Sequence, residues 1–555
     1  MILSFLISGW AAAQLAGTGG TQPVDHQGRG SPVVTQSLRL AMQAEPNAPQ
    51  RVWVFFTDKN LPTENQQRSA IANQSANLNP KSAQRRRLRR TSSGLADWRD
   101  LPLEASYIRA VTNTGAVARH ESLWLNGISV EATLTQVTAL EALPFVRRIQ
   151  PVARAARRKV PVEQRRQESI PRGSGAAWYN ASYDQLTQVN VVAAHDVGYT
   201  GTGIVIGILD TGFNRSHDAF NQTTGGAHPV QIIDEHDFIN NDGDTTQQPG
   251  DPDGQSSHGT YILGVMGAFF PTVLVGAAFD AQFLLAKTED VSQEVPAEED
   301  NYVAGIEWLE ANGADMATSS LGYIDWYTQA DLDGLTAVTT IAVNTATDNG
   351  MPCCTAAGNE GHDSNATISH LIAPADALKV LTCGAVDNTG AIASFSSDGP
   401  SADGRVKPEV LARGISTQTT SFSTNTNIVG VNGTSLSTPV VAGGVALIVQ
   451  AHPSWSVDKI RRALFHNADL FLGTSAFDSL FVRGYGVINV MGAIQFVHSD
   501  INGDGVADGR DIAPFIAAVV SGTGSVDERR RADVDASGAA NALDIPVFVD
   551  DLLGS

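Results

Sequence analysis

Cysteine is scarce in this sequence, with only three residues in 555, and none of them precedes position 353. This scarcity excludes a small fold held together by many disulfide bonds. Charged residues make up 17% and apolar residues 42%, a balance that excludes a disordered chain and a coiled coil. Long apolar runs are missing as well, since none reaches the roughly 18–20 residues of a membrane-spanning helix. The length predicts several domains.

The three cysteines, Cys353, Cys354 and Cys383, lie in the apolar segments MPCCTAAGN and VLTCGAVD. We expect either buried thiols that pack like small apolar side chains or one disulfide bond between neighbouring strands. Their spacing does not match a metal site.

Charge is divided unevenly along the chain. Residues 1–172 carry 23 Lys or Arg against 12 Asp or Glu, a net charge of +11, whereas residues 173–555 carry 14 against 46, a net charge of −32. An acidic body repels phosphates, which argues against nucleic acid as a partner. The basic N-terminal part, residues 1–172, is compatible with a nucleic-acid-binding arm, with a segment that docks on its own chain and is later removed, or with a solvated basic surface.

The first residues have the pattern of a secretory signal peptide. Residues 1–13 combine an apolar stretch with Ala11-x-Ala13, a plausible cleavage site, although a positively charged start is missing. A buried N-terminal strand is the alternative. Residues 14–50 are polar and rich in Gly, Pro and Gln, which is typical of a linker. A signal peptide predicts a secreted protein, either extracellular or associated with the cell surface.

Residues 51–156 form a separate α+β unit with the predicted order β-α-α-β-α-β. Its first and last strands are expected at 51–58 and 146–155, and a very basic stretch at 81–90 is predicted to be a loop. This order is compatible with a small split βαβ sandwich. Residues 157–174 follow as a basic, exposed linker, a natural hinge for proteolytic processing.

From about residue 175 the sequence is typical of an α/β domain. Helical stretches alternate with continuous apolar runs at 203–210, 313–321, 351–359 and 377–387. Such runs predict a parallel sheet that is covered on both faces. The segment 440–452 is almost wholly apolar and is predicted to be a buried central helix.

Four polar residues in this domain have the chemistry of acyl transfer. Asp210 closes an apolar strand, His258 precedes an apolar helix, and Ser435 begins the buried helix. A hydroxyl is a weak nucleophile that needs an imidazole base, and a buried carboxylate orients that base. The N-terminus of a helix supplies N–H groups to a developing oxyanion, and the side-chain amide of Asn359 is a second donor.

These segments resemble the subtilisin-like serine proteases (subtilases). The matching motifs are VIGILDTGF around Asp210, HGT at His258, AAGNEG around Asn359 and GTSLSTPVVAG around Ser435, and the similarity covers about residues 176–495. The resemblance implies a three-layer α/β fold with a parallel sheet and an Asp-His-Ser triad. It also implies a substrate-binding pocket formed by Ser320, Leu321, Gly322, Ala356, Ala357, Gly358 and Glu360.

The same resemblance identifies residues 51–156 as an inhibitory propeptide with a ferredoxin-like fold. Such a propeptide acts as an intramolecular inhibitor that caps the cleft until it is cut, and its positive charge favours docking on an acidic body. We expect the cut within the linker 157–174. The protease domain is then expected at 175–498.

Two acidic segments depart from the family pattern. Residues 236–257 form either a surface loop or a calcium site near Asp242, Asp244, Asp251 and Asp253. Residues 288–300 bring acidic side chains near the expected cleft. They are interpreted either as a solvated loop or as a preference for basic substrate residues.

Two calcium-loop patterns occur in the last segment, 499–555. A hard cation needs oxygen ligands at alternating positions and a glycine at the sharp turn. The first loop offers Asp500, Asn502, Asp504, the Val506 carbonyl, Asp508 and Asp511. The second offers Asp533, Asp535, Ser537, the Ala539 carbonyl, Asn541 and Asp544, and with fewer charges it is expected to bind more weakly.

An apolar helix follows each calcium-loop pattern, and this duplicated unit resembles an all-α dockerin-type module. The resemblance implies Ca²⁺ as the cofactor, with no organic cofactor, and a cohesin-like partner.

Taken together, these features predict a secreted serine endopeptidase that hydrolyses proteins or peptides through an acyl-enzyme. The alternative is a catalytically inactive adhesion or assembly protein with a protease fold, anchored through its calcium-binding tail. The intact set of four residues argues against that alternative.

Overall fold

The computed structural model describes residues 33–153, 162–163, 174–221, 228–291, 299–324 and 326–554. The chain divides into two compact units, Met1–Pro151 and Val152–Ser555. The predicted signal peptide, 1–13, and the greater part of the processing linker, 157–174, lie outside the described residues.

The first unit contains an antiparallel four-stranded sheet. Its strands are β1 (Gln50–Phe56), β2 (Val117–Ser122), β3 (Gly127–Ala132) and β4 (Val146–Pro151), in the order β2-β3-β1-β4. Its helices are α1 (Gln36–Ala44), α2 (Glu64–Ala76), α3 (Pro80–Arg89), α4 (Ala105–Thr112) and α5 (Leu134–Glu141), with a 3₁₀ turn at Trp98–Asp100. Apolar side chains from strands and helices, among them Val52, Val54 and Val137, form one core. The unit is therefore an α+β sandwich.

Two elements of this unit, α1 and β2, are missing from the predicted order. The stretch predicted to be a linker, 14–50, contains α1, which is tied to the sheet by a bridge between Val34 and Ile149. Strand β2 is absent from the predicted order because its sequence, VARHES, is polar and mostly lies at the surface of the sheet edge, where no apolar alternation signals a strand.

The basic stretch at 81–90, predicted to be a loop, lies largely in helix α3. The side chain of Asn79 caps this helix by accepting a backbone N–H of its first turn. Three of its arginines are buried: Arg85, Arg86 and Arg89. The guanidinium of Arg86 pairs with the Asp100 carboxylate at 2.8 Å. The prediction was wrong because acidic residues from a later turn offset the repulsion within the basic run.

The second unit is built on a seven-stranded parallel sheet. Its strands are β6 (Val205–Asp210), β7 (Gln231–Asp237), β10 (Gln282–Lys287), β11 (Met316–Ser319), β12 (Cys353–Ala356), β13 (Leu381–Val386) and β14 (Val410–Arg413), in the order β14-β13-β12-β11-β6-β10-β7. Smaller antiparallel sheets pair β8 (Phe269–Phe270) with β9 (Leu274–Val275), and β15 (Thr417–Thr420) with β16 (Ile428–Val431) and β5 (Val162–Glu163). The predicted parallel-sheet α/β class is confirmed.

Helices of the main body, which we define as residues 174–498, pack on this sheet in two groups. They are α6 (Ser174–Tyr179), α7 (Tyr183–Gln188), α8 (Val191–Asp196), α9 (Ser257–Gly267), α10 (Glu299–Ala311), α11 (Val338–Asp348), α12 (Thr434–Ala451), α13 (Val457–Asn467), α14 (Asp469–Thr474) and α15 (Val490–Gln495), with 3₁₀ turns at Asp218–Phe220 and Gln329–Asp331. One group contains α9 and α12, and the other contains α10 and α11.

Helix α12 occupies the centre of the main body. Among the described residues it has the length and composition of a membrane-spanning helix, but 89% of it is buried inside the protein. Its apolar side chains, such as Val441, Val445 and Ile448, belong to the main core of the unit. It is therefore the core helix that the sequence predicts at 440–452.

The three cysteines are free thiols, all of them buried. Cys354 lies on β12 and Cys383 on the neighbouring β13. Burial raises the pKa of the Cys354 thiol, so it stays protonated and unreactive. Of the two interpretations offered by the sequence, the structure has buried thiols and no disulfide bond.

The tail, residues 499–554, forms three helices around a small core of its own. The helices are α16 (Ile512–Ser521), α17 (Val526–Ala532) and α18 (Asp544–Leu553), with a 3₁₀ turn at Gly509–Asp511. The rings of Phe515 and Phe548 stack at 3.9 Å between centroids. Ile501 and Val534, one from each predicted calcium loop, join the same core.

Candidate active site

The carboxyl ends of three neighbouring strands bring together the polar residues that the sequence singled out. Strand β6 ends at Asp210, β11 is followed by Ser320, and β12 is soon followed by Asn359. These strands are adjacent and parallel. Carboxyl ends of parallel strands meet at one edge of a sheet, which is where α/β proteins place their ligand sites.

Asp210 and His258 are joined directly. The imidazole Nδ1 of His258 lies 2.8 Å and 3.0 Å from the two carboxylate oxygens of Asp210. The Asp210 side chain is completely buried, whereas that of His258 is 19% exposed. The following residue has to be glycine, because a Cβ at Gly259 would lie 2.2 Å from the carbonyl oxygen of Gly212.

Ser435 is the second residue of α12 and is joined to Ser320 by two hydrogen bonds. Its hydroxyl donates to the Ser320 carbonyl at 3.2 Å, and the Ser320 hydroxyl donates to the Ser435 carbonyl at 2.9 Å. The Ser435 carbonyl is open to this second bond because Pro439, four residues on, has no N–H to offer it. Within the described part of the chain, Ser435 makes no hydrogen bond to His258.

Asn359 is held at the N-terminus of the same helix. Its side-chain oxygen accepts hydrogen bonds from the backbone N–H of Thr434 at 2.9 Å and from the Thr434 hydroxyl at 3.0 Å. The amide NH₂ is the end of the side chain that Thr434 does not engage. Asn359 is therefore anchored next to Ser435 with a donor group to offer.

The predicted substrate pocket contains a side chain that sequence reasoning missed. Gly322 and Gly358 face Ile372: a Cβ at Gly322 would lie 2.1 Å from Ile372 Cδ1, and one at Gly358 would lie 3.3 Å from Ile372 Cγ1. Ile372 thus occupies the space between the two predicted pocket segments. The residue follows the site motifs by several positions in an apolar run, and nothing in the sequence distinguishes it.

The other predicted pocket residues differ in their surroundings. Leu321, Ala356 and Ala357 are buried, and Ala357 belongs to a small apolar cluster. Glu360 is exposed, and its backbone N–H donates to the Ser397 hydroxyl at 3.0 Å. The structure therefore places apolar side chains and backbone, with one exposed carboxylate, around this part of the edge.

Two carboxylates of the first acidic insertion, 236–257, enclose a buried cation from a different segment. Lys287, at the end of β10, is completely buried, and its ammonium lies 2.8 Å from carboxylate oxygens of both Asp237 and Asp251. Burial alone would lower the pKa of Lys287, but hydrogen bonds to the two carboxylates raise it above its usual value. One of the four aspartates considered for calcium, Asp251, is thus engaged by a lysine.

The second acidic segment is only partly described, since 292–298 lie outside the described residues. Glu289 and Glu299, on either side of that gap, are buried. The hydroxyl of Tyr323 donates to Glu289, and that of Tyr327 donates to Glu299. For these two carboxylates the interpretation as a solvated loop is wrong, because each is enclosed beside a tyrosine.

The second predicted calcium loop brings its carboxylates together. Asp533, Asp535 and Asp544 have oxygen atoms within 4.8 Å of one another. Burial, together with the charges of the neighbouring carboxylates, raises the pKa of Asp533 and of Asp544. A set of hard oxygen donors that repel one another is what a divalent cation fits.

In the same loop, Asn541 donates to the Ala539 carbonyl at 2.7 Å, and Ser537 donates its backbone N–H to Asp533 at 2.9 Å.

The first predicted calcium loop has arginines among its acids. Arg510 pairs with Asp504 at 3.1 Å and with Asp508 at 2.8 Å, while Arg531 lies 3.4 Å from Asp500. Asp511 accepts the backbone N–H groups of residues 501 and 502. The predicted ligands Asn502 and Val506 are exposed at the rim of this loop. The compact carboxylate cluster is therefore a feature of the second loop, the one for which the sequence predicts weaker calcium binding.

Three family models match successive parts of the chain. The model described as the subtilase family matches residues 201–487, which include the Asp210, His258, Asn359 and Ser435 positions. The model of the peptidase S8 propeptide domain of Bacteroidota matches residues 51–169. The model of the dockerin type I domain matches residues 498–552.

Curated relatives and solved structures agree with the central match. Subtilisin E of Bacillus subtilis is 33% identical over 312 residues, which cover 56% of this chain and 70% of that protein. Subtilisin of Bacillus pumilus is 32% identical over 312 residues, covering 98% of that protein. The crystal structure of fervidolysin from Fervidobacterium pennivorans has a similar fold, with a TM-score of 0.55 and 19% identity over 81% of this chain and 61% of fervidolysin.

Proposed function

Because the chain belongs to the subtilase family of serine proteases, we propose that it hydrolyses peptide bonds with Ser435 as nucleophile, His258 as general base and Asp210 as the group that orients His258. One observation carries this assignment: the buried Asp210 carboxylate holds His258 Nδ1 at the sheet edge where Ser435 begins α12. A carboxylate in that position stabilises the imidazolium that forms when the base takes a proton.

The proton path follows from this contact. Since Nδ1 of His258 donates to Asp210, Nε2 is the nitrogen left to accept a proton. The Ser435 hydroxyl donates to the Ser320 carbonyl in the resting arrangement, so the proposed reaction requires that it turn toward His258. Its oxygen attacks the scissile carbonyl while its proton passes to Nε2, and the imidazolium then protonates the leaving amine. Water attacks the acyl-enzyme by the same route in reverse.

The developing oxyanion needs donors that are already in place. Asn359, whose oxygen is occupied by Thr434, offers its NH₂ group beside the nucleophile, and the backbone N–H of Ser435 at the start of α12 is the second donor. Donors fixed before the reaction require little rearrangement at the transition state, which is why such groups lower the barrier.

The substrate is proposed to lie as an extended strand along 320–322. The side chain before the scissile bond would then enter the space between Ser320–Gly322 and Ala356–Gly358, with Ile372 and the exposed Glu360 at its boundary. The narrowness that Ile372 imposes favours small or medium apolar side chains at that position.

Maturation is proposed to follow the family pattern. Residues 1–13 would direct secretion, residues 51–156 would act as an intramolecular inhibitor, and a cut within 157–174 would release the protease domain, 175–498. The match of a propeptide model to residues 51–169 supports this order.

The tail, 499–555, is proposed to bind Ca²⁺ and a cohesin-like partner. Asp533, Asp535 and Asp544 would hold one cation through carboxylate oxygens, with Ser537, Asn541 and the Ala539 carbonyl completing its shell. The acids of the first loop would hold a second cation once Arg510 moves aside. The dockerin match supports both proposals.

A fluorophosphonate probe tests the catalytic assignment. The mature enzyme should react covalently with the probe and hydrolyse casein, and Ser435→Ala should abolish both. Ser437→Ala, two residues further along the same helix, is the matched control and should retain labelling. Failure of the correctly folded, processed parent to react would instead support an inactive protein with a protease fold. N-terminal sequencing of the active form checks the proposed cuts.

A further inference from the structure

The second repeat of the tail, residues 533–553, is packed against the main body, residues 174–498, which is called the protease body from here on. Asp551, on α18, accepts two hydrogen bonds from the guanidinium of Arg462 on α13, at 2.8 and 3.1 Å. The side chain of Asp551 is 2% exposed and that of Arg462 11% exposed. Ser499 and Lys459 add a hydrogen bond at 2.9 Å and an ion pair at 3.4 Å to the same carboxylate. A buried two-pronged pair of this kind fixes how two surfaces face each other.

The backbone of the second loop makes a separate contact. The hydroxyl of Tyr485, in the protease body, donates to the carbonyl of Ala536 at 2.8 Å. Ala536 has a φ of +58°, is completely buried, and packs in the main apolar core of the body rather than in the core of the tail. The ring of Tyr485 is held in turn by stacking on Phe465 at 4.1 Å.

The residue that contacts the body lies inside the proposed cation loop. Ala536 stands between Asp535 and Ser537, and Asp533 accepts the backbone N–H of Gly538 at 2.8 Å. A cation that draws Asp533, Asp535 and Asp544 together would hold the same turn that presents the Ala536 carbonyl. Cation binding and contact with the body therefore involve one local conformation.

The first loop differs in this respect. Its side-chain hydrogen bonds, as far as the structure describes them, stay within the tail, for example between Arg531 and Asp500 and between Arg510 and Asp508. Ile501 packs in the core of the tail. The two repeats are therefore alike in sequence but unlike in the contacts of their loops: among the described residues, the loop of the second repeat bonds directly to the protease body through Ala536, whereas the side chains of the first loop bond within the tail.

We propose that the second repeat acts as a clasp, by which we mean that its contacts through Ala536 and Asp551 hold the protease body in place. A cation bound in its loop strengthens these contacts and so stabilises the body itself. The cation part rests on the calcium loops of the proposed function, whereas the clasp does not rest on the catalytic residues. Coupling between two binding events is reciprocal. Weakening the contact at Tyr485, which is no cation ligand, should therefore weaken calcium binding in the loop.

Calorimetric titration with CaCl₂ tests the reciprocity. The full-length Ser435→Ala chain, which cannot digest itself, is compared with the same chain carrying Tyr485→Phe. We expect two calcium sites in the parent and about a three- to tenfold weaker affinity at one of them in the variant, as loss of one hydrogen bond would produce. Tyr302→Phe is the matched control, because that buried hydroxyl bonds Ser319, remote from the tail, and it should leave both affinities unchanged.

Hydrogen exchange of the α13 amides tests the clasp directly. Chelation of calcium should raise their exchange rates at least tenfold in the parent, and Asp551→Asn should raise them even with calcium present. Arg462→Lys, which keeps the charge, should have a smaller effect. Asp535→Asn should behave like chelation, whereas Asp504→Asn in the first loop should not.

The outcomes separate this proposal from the calcium assignment. A parent that binds calcium, with a Tyr485→Phe affinity equal to its own, overturns the coupling. A parent that binds no calcium overturns the calcium loops and the coupling together. Exchange at α13 that is the same in the parent and in Asp551→Asn overturns the clasp.

Discussion

Ser435 and Ser320 each donate a side-chain hydroxyl to the other's backbone carbonyl, at 3.2 and 2.9 Å. This pair ties the first turn of α12 to the segment that follows β11, so the proposed nucleophile and the proposed substrate strand are held as one piece. The arrangement depends on Pro439, which leaves the Ser435 carbonyl without its usual partner in the helix.

Replacing Ser320 with Ala should have a modest effect on catalysis. The variant loses the hydroxyl that bonds the Ser435 carbonyl but keeps its own carbonyl, so the free energy of unfolding should fall by about 0.5–1.5 kcal/mol. We expect kcat/KM for a peptide substrate to fall less than tenfold. A fall of more than 100-fold in a stable variant would mean that the Ser320 hydroxyl takes part in the reaction.

Replacing Asn359 with Leu should reduce kcat by about 10²–10³-fold with little change in KM. This is the loss known for such an oxyanion donor in subtilisin. The same change also removes the oxygen that caps Thr434, so urea unfolding must be measured beside the kinetics. Thr434→Val removes the hydroxyl contacts with Asn359 and with the Gly358 carbonyl, keeps the backbone N–H bond to Asn359, and serves as the control. Equal losses of kcat in both variants would argue against an oxyanion role.

Replacing Ile372 with Gly should widen the specificity of the enzyme. Removal of the side chain between Gly322 and Gly358 opens room for a larger substrate group, so the ratio of kcat/KM for Phe over Ala before the scissile bond should rise at least tenfold. Chromogenic peptides that differ at that one position measure the ratio. Ile368→Gly, an exposed neighbour, should leave it unchanged.

Replacing Lys287 with Met should destabilise the fold by about 3–5 kcal/mol. The change leaves the carboxylates of Asp237 and Asp251 buried without their cation, which is costly. The partly exposed pair of Lys379 and Asp458 provides the control, and Lys379→Met should cost less than about 1 kcal/mol. Urea unfolding of the two variants at pH 7 makes the comparison. Similar costs would show that the insertion does not depend on its buried lysine.

Stability should fall in mild acid because of His195. Burial lowers the pKa of this histidine to about 4, against about 6.5 in an unfolded chain. At a pH between these two values, His195 is protonated in the unfolded chain but neutral in the folded protein. The contribution of neutral His195 to the free energy of unfolding is therefore complete above pH 6.5 and is lost as the pH falls toward 4. The loss reaches about 2 kcal/mol at pH 5.

The variant His195→Gln tests this dependence. Glutamine keeps a polar group near Tyr179 but does not titrate, so the drop in unfolding free energy between pH 7 and pH 5 should shrink by about 2 kcal/mol. An unchanged drop would mean that other groups cause the acid sensitivity.

The sequence predicts the fold class because its signals are local. Continuous apolar runs that end in a polar residue predict buried parallel strands, and the same ends place Asp210 and Asn359 at one edge. The contact between Asp210 and His258 requires only that β6 and α9 pack as in other proteins with these motifs. Whether the four residues act as a catalytic set stays a prediction until it is measured.

Other features depend on pairs of residues that are distant in the chain. Nothing in the sequence around Lys287 indicates its ion pair, because its partner Asp251 lies 36 residues earlier in the chain. The basic sequence of helix α3 predicts a solvated loop, because the acidic residues that compensate its charge come from a later turn. No local periodicity records such partnerships, which is why sequence reasoning missed them.

The buried arginines of α3 restrict where the folded chain can be cut. A processing enzyme selects basic residues in extended, accessible segments, but Arg85, Arg86 and Arg89 are enclosed in a helix once this unit has folded. The RRRLRR run is therefore protected from such an enzyme in the folded first unit. The cut of the proposed maturation is expected instead in the later basic linker, 157–174.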